Sequence, residues 1–448
     1  MNRLSTRIAH FCTFPHGGAA AAAKRHHHSL LDAHVDSHFY FHRNQKNVAV
    51  DETYSQVQFD SVRHGWLTGA VTRRLEKRRQ RRIYDLFNRF LAVRPESAET
   101  FSMAELPEPT PLNWQQVDAD IVHLHWIAYF ADYPSFFGSI PASTPIVWSL
   151  HDTNAFTGGC HYHSGCQQFK HGCGDCPQLV NRTHQDVSRV SMDAKRRALA
   201  GRSIHVVAPC DWMIDAAQDS NVWPEQTSFS KIEYGLDLKN QYPAFTTADQ
   251  RSARETLGLD ADIPLVAFGA MDVENPRKGF QHLVSALADL QQRGLQFECL
   301  VFGEGRLAAT NRHSEFPKLH SLGYVESMEI KRSIYLAADV VVVPSIEDNQ
   351  PQVGLESMAC GTPVVAFNAS GMPEYVIDQE TGLLAETGNE SELAACIESL
   401  LRNREFGKLL GENARGMIET RFERLRQREK WMSLYSDCLG SRRQRRAA

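Results

Sequence analysis

The hydrophobic pattern of the chain consists of short, continuous apolar runs, each followed by a polar or glycine-containing turn and then by helical spacing. The run Val340 to Val343 is β-branched throughout, which is typical of a parallel strand buried on both faces. Comparable runs predict further strands at 7–14, 120–126, 145–152, 204–209, 264–270 and 297–303. This alternation of strands and helices predicts an α/β protein with two doubly wound parallel sheets.

The stretch 340–367 has the clearest pattern and predicts a strand, a loop, a short helix and a second strand. Pro344 ends the first strand because proline cannot donate to the ladder, and Pro351 suits the first helical turn. Gly361 is the residue expected just past the helix end. A helix that begins beyond the carboxyl end of a parallel strand presents free N–H groups and partial positive charge. The pattern therefore indicates an anion site, for which a diphosphate is well suited.

Two carboxylates flank this predicted helix start, Asp348 in the loop and Glu356 about one turn inside the helix. A carboxylate beside a phosphate site is repulsive unless it serves a neutral group, and the vicinal hydroxyls of a ribose or hexose meet that requirement. The spacing alone also fits a surface loop with ordinary acidic residues and a capped helix.

The segment from Pro344 to Val365 resembles the signature of the retaining glycosyltransferases of family 4, which have the GT-B fold. In that signature a first acid is followed, after seven residues, by a second acid and Ala-Met-Ala-x-Gly-x-Pro-Val-Val. Asp348 and Glu356 occupy the two acidic positions, and Ser357 stands in place of the first Ala. The resemblance implies that Asp348 contacts donor-sugar hydroxyls and that Glu356 binds the nucleotide ribose. Glu347, one residue out of register, is the alternative first acid.

A basic pair, Arg277 and Lys278, precedes another predicted helix beyond the strand at 264–270. Fixed positive groups of this kind meet the charge that develops on a diphosphate leaving group, although a solvated surface pair has the same sequence. The resemblance matches Lys278 to a family Lys, whereas Ala270 stands where the family has Arg and Arg277 is the substitute. The remaining donor-binding candidates that the resemblance implies are Gly269, Tyr324, Val325, Asn349, Gln352 and Val353.

The amino-terminal half begins with a predicted strand, a Pro-His-Gly-Gly turn and a helix over 19–34. This arrangement is found at phosphate sites and also in simple tight turns. The resemblance makes Gly17 and Gly18 site candidates. Two later strands end in histidine at the same predicted sheet edge, and the resemblance assigns His151 to the donor sugar. His125 and Trp126 are weaker candidates for contact with the acceptor. The run 26–28 is three histidines that point in different directions around a helix, so no metal site is predicted there.

Four cysteines lie within the 17 residues 160–176, and the last two form a Cys-x-x-Cys pair. Dense thiols at this spacing indicate a structural zinc, with disulfides or incidental packing as the alternatives. The stretch also resembles an insertion in an exopolysaccharide-forming subgroup and is expected to shape the acceptor side. The candidate zinc ligands are Cys160, Cys166, Cys173 and Cys176.

The composition is that of an ordinary globular protein, with 42 % hydrophobic and 23 % charged residues. A net charge of −5 gives no indication of nucleic-acid binding, and no apolar run approaches the roughly 18 residues of a membrane span. The amino terminus is a poor signal peptide, so we expect a cytoplasmic protein with mostly reduced cysteines. The basic run 73–82 predicts a helix that lies against the inner membrane face or is simply solvated.

These observations predict three segments: an acceptor-side Rossmann-like domain at 1–238, a nucleotide-sugar domain at 239–420, and a carboxyl-terminal helix at 421–448 that crosses back and ends in a basic tail. The domains are expected to face each other across a cleft. The predicted activity is transfer of a hexose, with retention, from a UDP- or GDP-linked sugar to a glycan or lipid-linked acceptor, in exopolysaccharide or cell-surface polysaccharide synthesis. No catalytic metal is expected. An epimerase or phosphorylase on the same fold, or a non-catalytic relative, are the alternatives.

Overall fold

The computed structural model describes residues 6–60, 69–95, 98–307 and 316–447, and the chain divides into two compact units. Unit 1 contains the chain up to residue 209, residues 213–232 and the chain from residue 428 onward. Unit 2 contains residues 210–212 and 233–427. Each unit is built on one parallel sheet with flanking helices, which confirms the predicted α/β fold.

The sheet of unit 1 has seven strands in the order β3-β2-β1-β4-β5-β6-β7. Its strands are β1 Arg7–Cys12, β2 Asp36–Phe41, β3 Tyr54–Gln56, β4 Ile121–Leu124, β5 Ile146–Ser149, β6 Ile204–Ala208 and β7 Ser228–Lys231. All neighbouring strands are parallel, so their carboxyl ends meet at one edge. The histidine positions in the central strands are in register, since His10 of β1 lies opposite His123 of β4.

Six helices and the last helix of the chain surround this sheet. They are α1 Gly18–Leu31, α2 Gly69–Leu86, α3 Trp114–Val117, α4 Tyr133–Ser139, α5 Val187–Leu199, α6 Asp211–Asp219 and, at the end of the chain, α13 Arg424–Ala447. A π-helical turn, Phe87–Leu91, continues α2. Trp431 and Leu434 of α13 pack against Ile8, Ile121 and Val147 of the central strands, which buries the carboxyl-terminal helix in the core of unit 1.

The sheet of unit 2 has six strands in the order β10-β9-β8-β11-β12-β13. Its strands are β8 Leu265–Asp272, β9 Glu298–Glu304, β10 Lys318–Ser321, β11 Val340–Val343, β12 Val364–Phe367 and β13 Gly382–Ala385. Its helices are α7 Thr247–Thr256, α8 Phe280–Gln292, α9 Met328–Ala337, α10 Gln352–Ala359, α11 Glu390–Arg402 and α12 Arg404–Arg421. Two buried apolar clusters, one on each face, cover this sheet, as expected for a doubly wound arrangement.

Several predicted boundaries differ from the structure. The first strand ends at Cys12 rather than residue 14, and the first helix ends at Leu31 rather than residue 34. Residues 441–447, which were predicted to be a basic tail beyond the last helix, belong to α13, which continues to Ala447. Arginine and glutamine are good helix formers, so a basic composition does not by itself end a helix. No helix of the described chain is both long and apolar enough to cross a bilayer.

Candidate active site

The loop between β11 and α10 is the centre of the candidate site in unit 2. All four valines of β11 are buried, and the chain leaves the sheet at Pro344. Pro351 is the N-cap residue of α10, with φ −56° and ψ 123°, so the helix begins one residue later than predicted. At the other end of α10, Gly361 has φ +69°, and a Cβ there would lie 1.9 Å from Cζ of Phe245. The backbone conformations of Pro351 and Gly361 therefore fix where α10 begins and ends.

A basic turn of three residues, Pro276–Lys278, contacts this loop from the neighbouring strand connection. The side chain of Asn275 accepts a hydrogen bond from the Arg277 N–H at 3.0 Å and so begins the turn. Gly279 ends it with φ +72°, and a Cβ at Gly279 would lie 1.8 Å from the carbonyl oxygen of Pro344. The N–H of Ile346 donates to the carbonyl oxygen of Arg277 at 2.8 Å. Only glycine permits this close approach.

The turn brings both predicted cations to the predicted acid. Lys278 Nζ lies 2.5 Å from the Asp348 carboxylate, and Arg277 Nη1 lies 3.2 Å from the same oxygen. Arg277 Nη1 also donates to the carbonyl oxygen of Glu347 at 2.8 Å. Asp348 is only 4 % exposed, so this pairing lies in a low-dielectric environment. The structure thus places one carboxylate and two cations beside the start of α10, where the first-turn amides lack intrahelical acceptors.

Glu356 lies inside α10 and is 5 % exposed. Its Oε2 accepts a hydrogen bond from the hydroxyl of Tyr335 on α9 at 2.8 Å. Burial, together with the nearby charge of Glu356, raises the pKa of Tyr335 well above its usual value, so this tyrosine remains a donor. Ser357, which replaces the usual family Ala, donates from Oγ to the carbonyl oxygen of Thr362 at 3.0 Å and thereby closes the helix end.

The residues between Asp348 and α10 are tied to the segment that enters unit 2. Nδ2 of Asn349 donates to the Tyr234 hydroxyl at 3.3 Å, and the Tyr234 N–H donates to Oε1 of Gln350 at 3.1 Å. The amide oxygen and nitrogen of Gln352 are buried without a hydrogen-bond partner among the described residues. Val353 packs against the core of unit 2. Gln352 therefore presents an unused polar group at the first residue of α10.

The other donor-side candidates lie elsewhere on the sheet edge. Gly269 is in β8, where a Cβ would lie 2.1 Å from Cζ of Phe302, so core packing alone requires glycine there. Tyr324 is 39 % exposed, and Val325 packs against the core.

In unit 1, the glycine turn has the predicted form. Gly17 is the N-cap of α1 with φ +91°, and Gly18 is the first residue of the helix. A Cβ added at Gly18 would meet no atom within 4 Å. Packing therefore does not explain Gly18, and the start of α1 is left open to a ligand.

A row of three histidines crosses the sheet of unit 1. His10 Nδ1 lies 3.0 Å from His125 Nε2, and His125 Nδ1 lies 3.1 Å from His151 Nε2. Burial lowers the pKa of His151 to about 4, and it lowers the pKa values of His10 and His125 further. The imidazoles are therefore neutral at physiological pH. Sequence reasoning found His125 and His151 but missed His10, whose signal was a polar residue in the middle of a buried strand.

Asp152, which directly follows His151, was also missed as a site residue. It accepts hydrogen bonds from Trp126 Nε1 at 2.6 Å and from His161 Nδ1 at 2.5 Å. Burial raises the pKa of Asp152, but the charge of His161 and these hydrogen bonds lower it overall. His125, Trp126, His151 and Asp152 line a cavity of about 10 Å³. The strand ends of unit 1 thus form a polar, hydrogen-bonded site.

A second group of histidines was not predicted. Within the described part of the chain, His10, His26 and His123 place three candidate ligand atoms within 4.8 Å of one another. The hydroxyl of Tyr435, from α13, lies 2.7 Å from both His26 Nε2 and His123 Nδ1. These hydrogen bonds attach α13 to the sheet, and the cluster arises because His26 packs back onto β1 and β4.

The four predicted zinc ligands lie together in unit 1. All ten cysteines are free thiols, so the disulfide alternative is not the arrangement seen. Cys160, Cys166, Cys173 and Cys176 all line one cavity of about 20 Å³. No three of their sulfurs lie within 4.8 Å of one another. Among the described residues, only His10, His26 and His123 place three candidate ligand atoms that close together.

Comparison with known proteins relates part of the chain to glycosyltransferases. Residues 263–403 match the family model described as glycosyl transferases group 1. A D-inositol 3-phosphate glycosyltransferase of Segniliparus rotundus is 31 % identical over 185 residues, which is 40 % of this chain and 40 % of that protein. The chain thus spans well under two thirds of the curated relatives it matches.

Solved structures match nearly the whole chain. Sucrose-phosphate synthase from Thermosynechococcus elongatus has a TM-score of 0.66 at 18 % identity, covering 97 % of this chain and 100 % of that one. Anabaena HepE, solved with UDP and glucose, has a TM-score of 0.62 at 16 % identity, covering 96 % and 100 %. These matches confirm the predicted α/β fold with two Rossmann-like domains. The chain therefore has the GT-B fold, and its residues 263–403 match the model of the glycosyl transferases group 1 family.

Proposed function

We propose that the chain is a retaining glycosyltransferase that moves a hexose from a nucleotide-sugar to a hydroxyl of a glycan or lipid-linked acceptor. The observation that carries this proposal is the pairing of Asp348 with Lys278 and Arg277 at the start of α10, inside the matched family region. Synthesis of a bacterial exopolysaccharide or another cell-surface polysaccharide is the proposed setting, because the Asn-Gln-Pro after Asp348 and the cysteine-rich segment resemble that subgroup.

The two cations and the helix start supply the positive charge that a departing nucleoside diphosphate needs. The arginine that the family has at the position of Ala270 is missing from this chain. Arg277, seven residues later, contacts Asp348 and is proposed to take the role of that arginine. Because the chain itself provides these charges, we propose that transfer requires no divalent metal. Undiminished turnover in the presence of a chelator is the expected result.

The acids serve the neutral parts of the donor. Once a pyrophosphate takes up Lys278 and Arg277, Asp348 becomes free to accept hydrogen bonds from sugar hydroxyls. Glu356, oriented by Tyr335, is proposed to hold the ribose. The unused amide of Gln352 and the first-turn N–H groups of α10 are suited to the phosphate oxygens.

The test is a donor screen. We expect a panel of UDP- and GDP-linked sugars to raise the melting temperature of the protein, because a ligand that binds the folded state stabilises it. UDP-glucose is the first compound to try, since HepE was solved with it. Lys278→Ala should abolish the shift, whereas Lys408→Ala, at an exposed position of α12, should retain it. An absent shift for every donor, or an unchanged shift in Lys278→Ala, contradicts the proposal.

Product analysis then separates the alternatives. Transfer to an acceptor with the donor's anomeric configuration supports a retaining transferase. Isomerised sugar without an acceptor would indicate an epimerase, sugar phosphate formed with inorganic phosphate would indicate a phosphorylase, and tight binding without turnover would indicate a non-catalytic relative.

We also propose that the protein is cytoplasmic and contacts the inner membrane face through α2. Arg79 is paired with Asp132, and Arg82 lies 2.6 Å from Glu105, so these two arginines hold α2 against unit 1. Arg78 and Arg81 are exposed. In flotation with anionic liposomes, we expect the double variant Arg78→Ala/Arg81→Ala no longer to float with the liposomes. The control Arg197→Ala/Arg251→Ala, which changes exposed arginines of α5 and α7, should still float with them. Equal flotation of both would exclude the membrane role of α2.

A further inference from the structure

The cavity between residues 158 and 188 has an unusual lining of sulfur. The cysteines follow the spacing Cys-x5-Cys-x6-Cys-x2-Cys, and all four line the same cavity of about 20 Å³. Cys160, Cys173 and Cys176 are buried, and Cys166 is half-buried. The chain reaches this arrangement through left-handed residues on both sides of Cys173, with φ +87° at Gly172 and φ +100° at Gly174. Apart from the short 3₁₀ helix Gln168–His171, this loop is irregular and needs another source of order.

Backbone amides are directed at two of the sulfurs. The Gly158 N–H donates to Cys173 Sγ at 3.1 Å, and the Gln168 N–H donates to Cys166 Sγ at 3.5 Å. Hydrogen bonds of this kind favour the thiolate over the neutral thiol. Amide donors directed at two cysteine sulfurs of one cavity are therefore suited to cysteines that a metal holds as thiolates.

Two cations from other elements surround the same cysteines. Lys195 of α5 is 0 % exposed, and within the described structure its ammonium donates to the carbonyl oxygens of Asn154 and Thr157. The guanidinium carbon of Arg94 lies 5.4 Å from the centre of the Phe101 ring, and Phe101 lines the same cavity. A buried cation is costly unless negative charge lies nearby, and thiolates at the four cysteines would supply that charge.

We propose that Cys160, Cys166, Cys173 and Cys176 bind one Zn²⁺ as thiolates. Each thiol releases its proton, so binding liberates four protons and leaves a centre of net charge −2, which Lys195 and Arg94 offset. Zinc–sulfur bonds of about 2.3 Å in a tetrahedron place the sulfurs about 3.8 Å apart. The sulfurs are less tightly grouped than this, so binding contracts the loop around the cavity.

The consequence is structural. The centre would fix segment 158–176 to α5 through Lys195, and Lys195 in turn holds the carbonyl oxygen of Asn154, two residues after Asp152. Phe101 bridges to Cys160, so the preceding loop is fixed as well. Zinc binding therefore orders the chain that follows β5 and borders His151, without taking part in any reaction.

The first experiment measures metal in the full-length protein purified under reducing conditions. We expect about one zinc per chain, falling to near zero in Cys173→Ser and in Cys176→Ser. Cys396→Ser, at a half-buried thiol of α11 in unit 2, is the matched control and should keep its zinc. His10→Gln should also keep it. Zinc that survives the two loop variants but disappears in His10→Gln would overturn the proposal and place the metal at the three histidines.

The second experiment needs no variant and so remains decisive if the loop variants do not fold. Wild-type protein in which Co²⁺ replaces zinc should show intense thiolate-to-cobalt charge-transfer absorption. Removing the metal with a chelator should make four additional thiols reactive. A visible iron–sulfur chromophore in the anaerobically purified protein, or metal-free protein whose four loop thiols react at once, would overturn the assignment.

Discussion

Replacing Gly279 by alanine tests whether the basic turn is held at the acidic loop by close backbone contact. Gly279 has φ +72°, and the added methyl carbon would lie 1.8 Å from the carbonyl oxygen of Pro344. Gly294→Ala is the matched control, because Gly294 has φ +81° but its Cβ would meet no atom within 4 Å. Both variants place an alanine in a left-handed backbone conformation, which costs stability. Only Gly279→Ala also brings its methyl group into contact with Pro344.

The magnitudes follow from these two terms. A left-handed alanine costs about 1–2 kcal/mol, and forcing a methyl group into a packed site costs about 1–3 kcal/mol more. We therefore expect Gly279→Ala to lower the free energy of unfolding by about 2–5 kcal/mol and Gly294→Ala by about 1–2 kcal/mol. Since Pro344 must move away from Gly279, the hydrogen bond from Ile346 to Arg277 and the pairing of Lys278 with Asp348 are weakened as well.

Two measurements check this expectation. Urea denaturation gives the loss of stability, and titration calorimetry with a nucleoside diphosphate gives the change in affinity. Gly279→Ala should bind at least about tenfold more weakly, which corresponds to about 1.4 kcal/mol, whereas Gly294→Ala should bind like the wild type. If the two variants lose equal stability and bind the nucleotide equally, the contact with Pro344 does not organise the site, and the reasoning is refuted.

Three further outcomes are expected. Asp348→Asn should lower turnover strongly while keeping or tightening nucleoside diphosphate binding, because its two cations are released to the phosphates; calorimetry that shows binding lost in parallel would contradict this. Tyr335→Phe removes a donor to Glu356 and should cost about 1.5–3 kcal/mol in urea denaturation, whereas Tyr84→Phe, at an exposed ring, should cost nothing measurable. Buried His151 has a folded pKa of about 4, below the unfolded value, so the stability that its neutral form provides is complete above pH 6.5 or so and is lost as pH falls towards 4. His151→Gln should reduce the slope of the urea midpoint against pH in that range, and the other buried histidines keep the remainder of the slope.

Much of unit 2 was predictable because its strands are unambiguous. The four consecutive valines of β11, the proline after them and the glycine after α10 each have a single local explanation, and the structure agrees with all three to within one residue. By contrast, β2 was missed. Its sequence alternates polar and apolar residues, and only every second side chain is buried, so Asp36–Phe41 lacks the continuous apolar run of a central strand.

The contacts that assemble the candidate site were beyond sequence reasoning. Lys278 and Asp348 are 70 residues apart, and each alone reads as an ordinary charged residue. Their pairing depends on β8 and β11 being neighbours in the sheet, which places the connections after both strands at the same edge. His10 was missed for the same reason, since its partner His125 lies 115 residues further along the chain.

The pairing of Asp348 also suggests how a carboxylate could lie beside the proposed phosphate site without preventing phosphate binding. In the structure, Asp348 holds Lys278 and Arg277 at the start of α10 and is itself almost fully buried. Two cations share this one carboxylate, and the helix start adds partial positive charge. In the proposed function, an incoming diphosphate is attracted by these groups and displaces the Asp348 carboxylate from the two cations. The same exchange frees Asp348 for a neutral hydroxyl only when the phosphates are in place, so donor-sugar contact depends on prior capture of the pyrophosphate. Free hexose alone should accordingly not bind at this position.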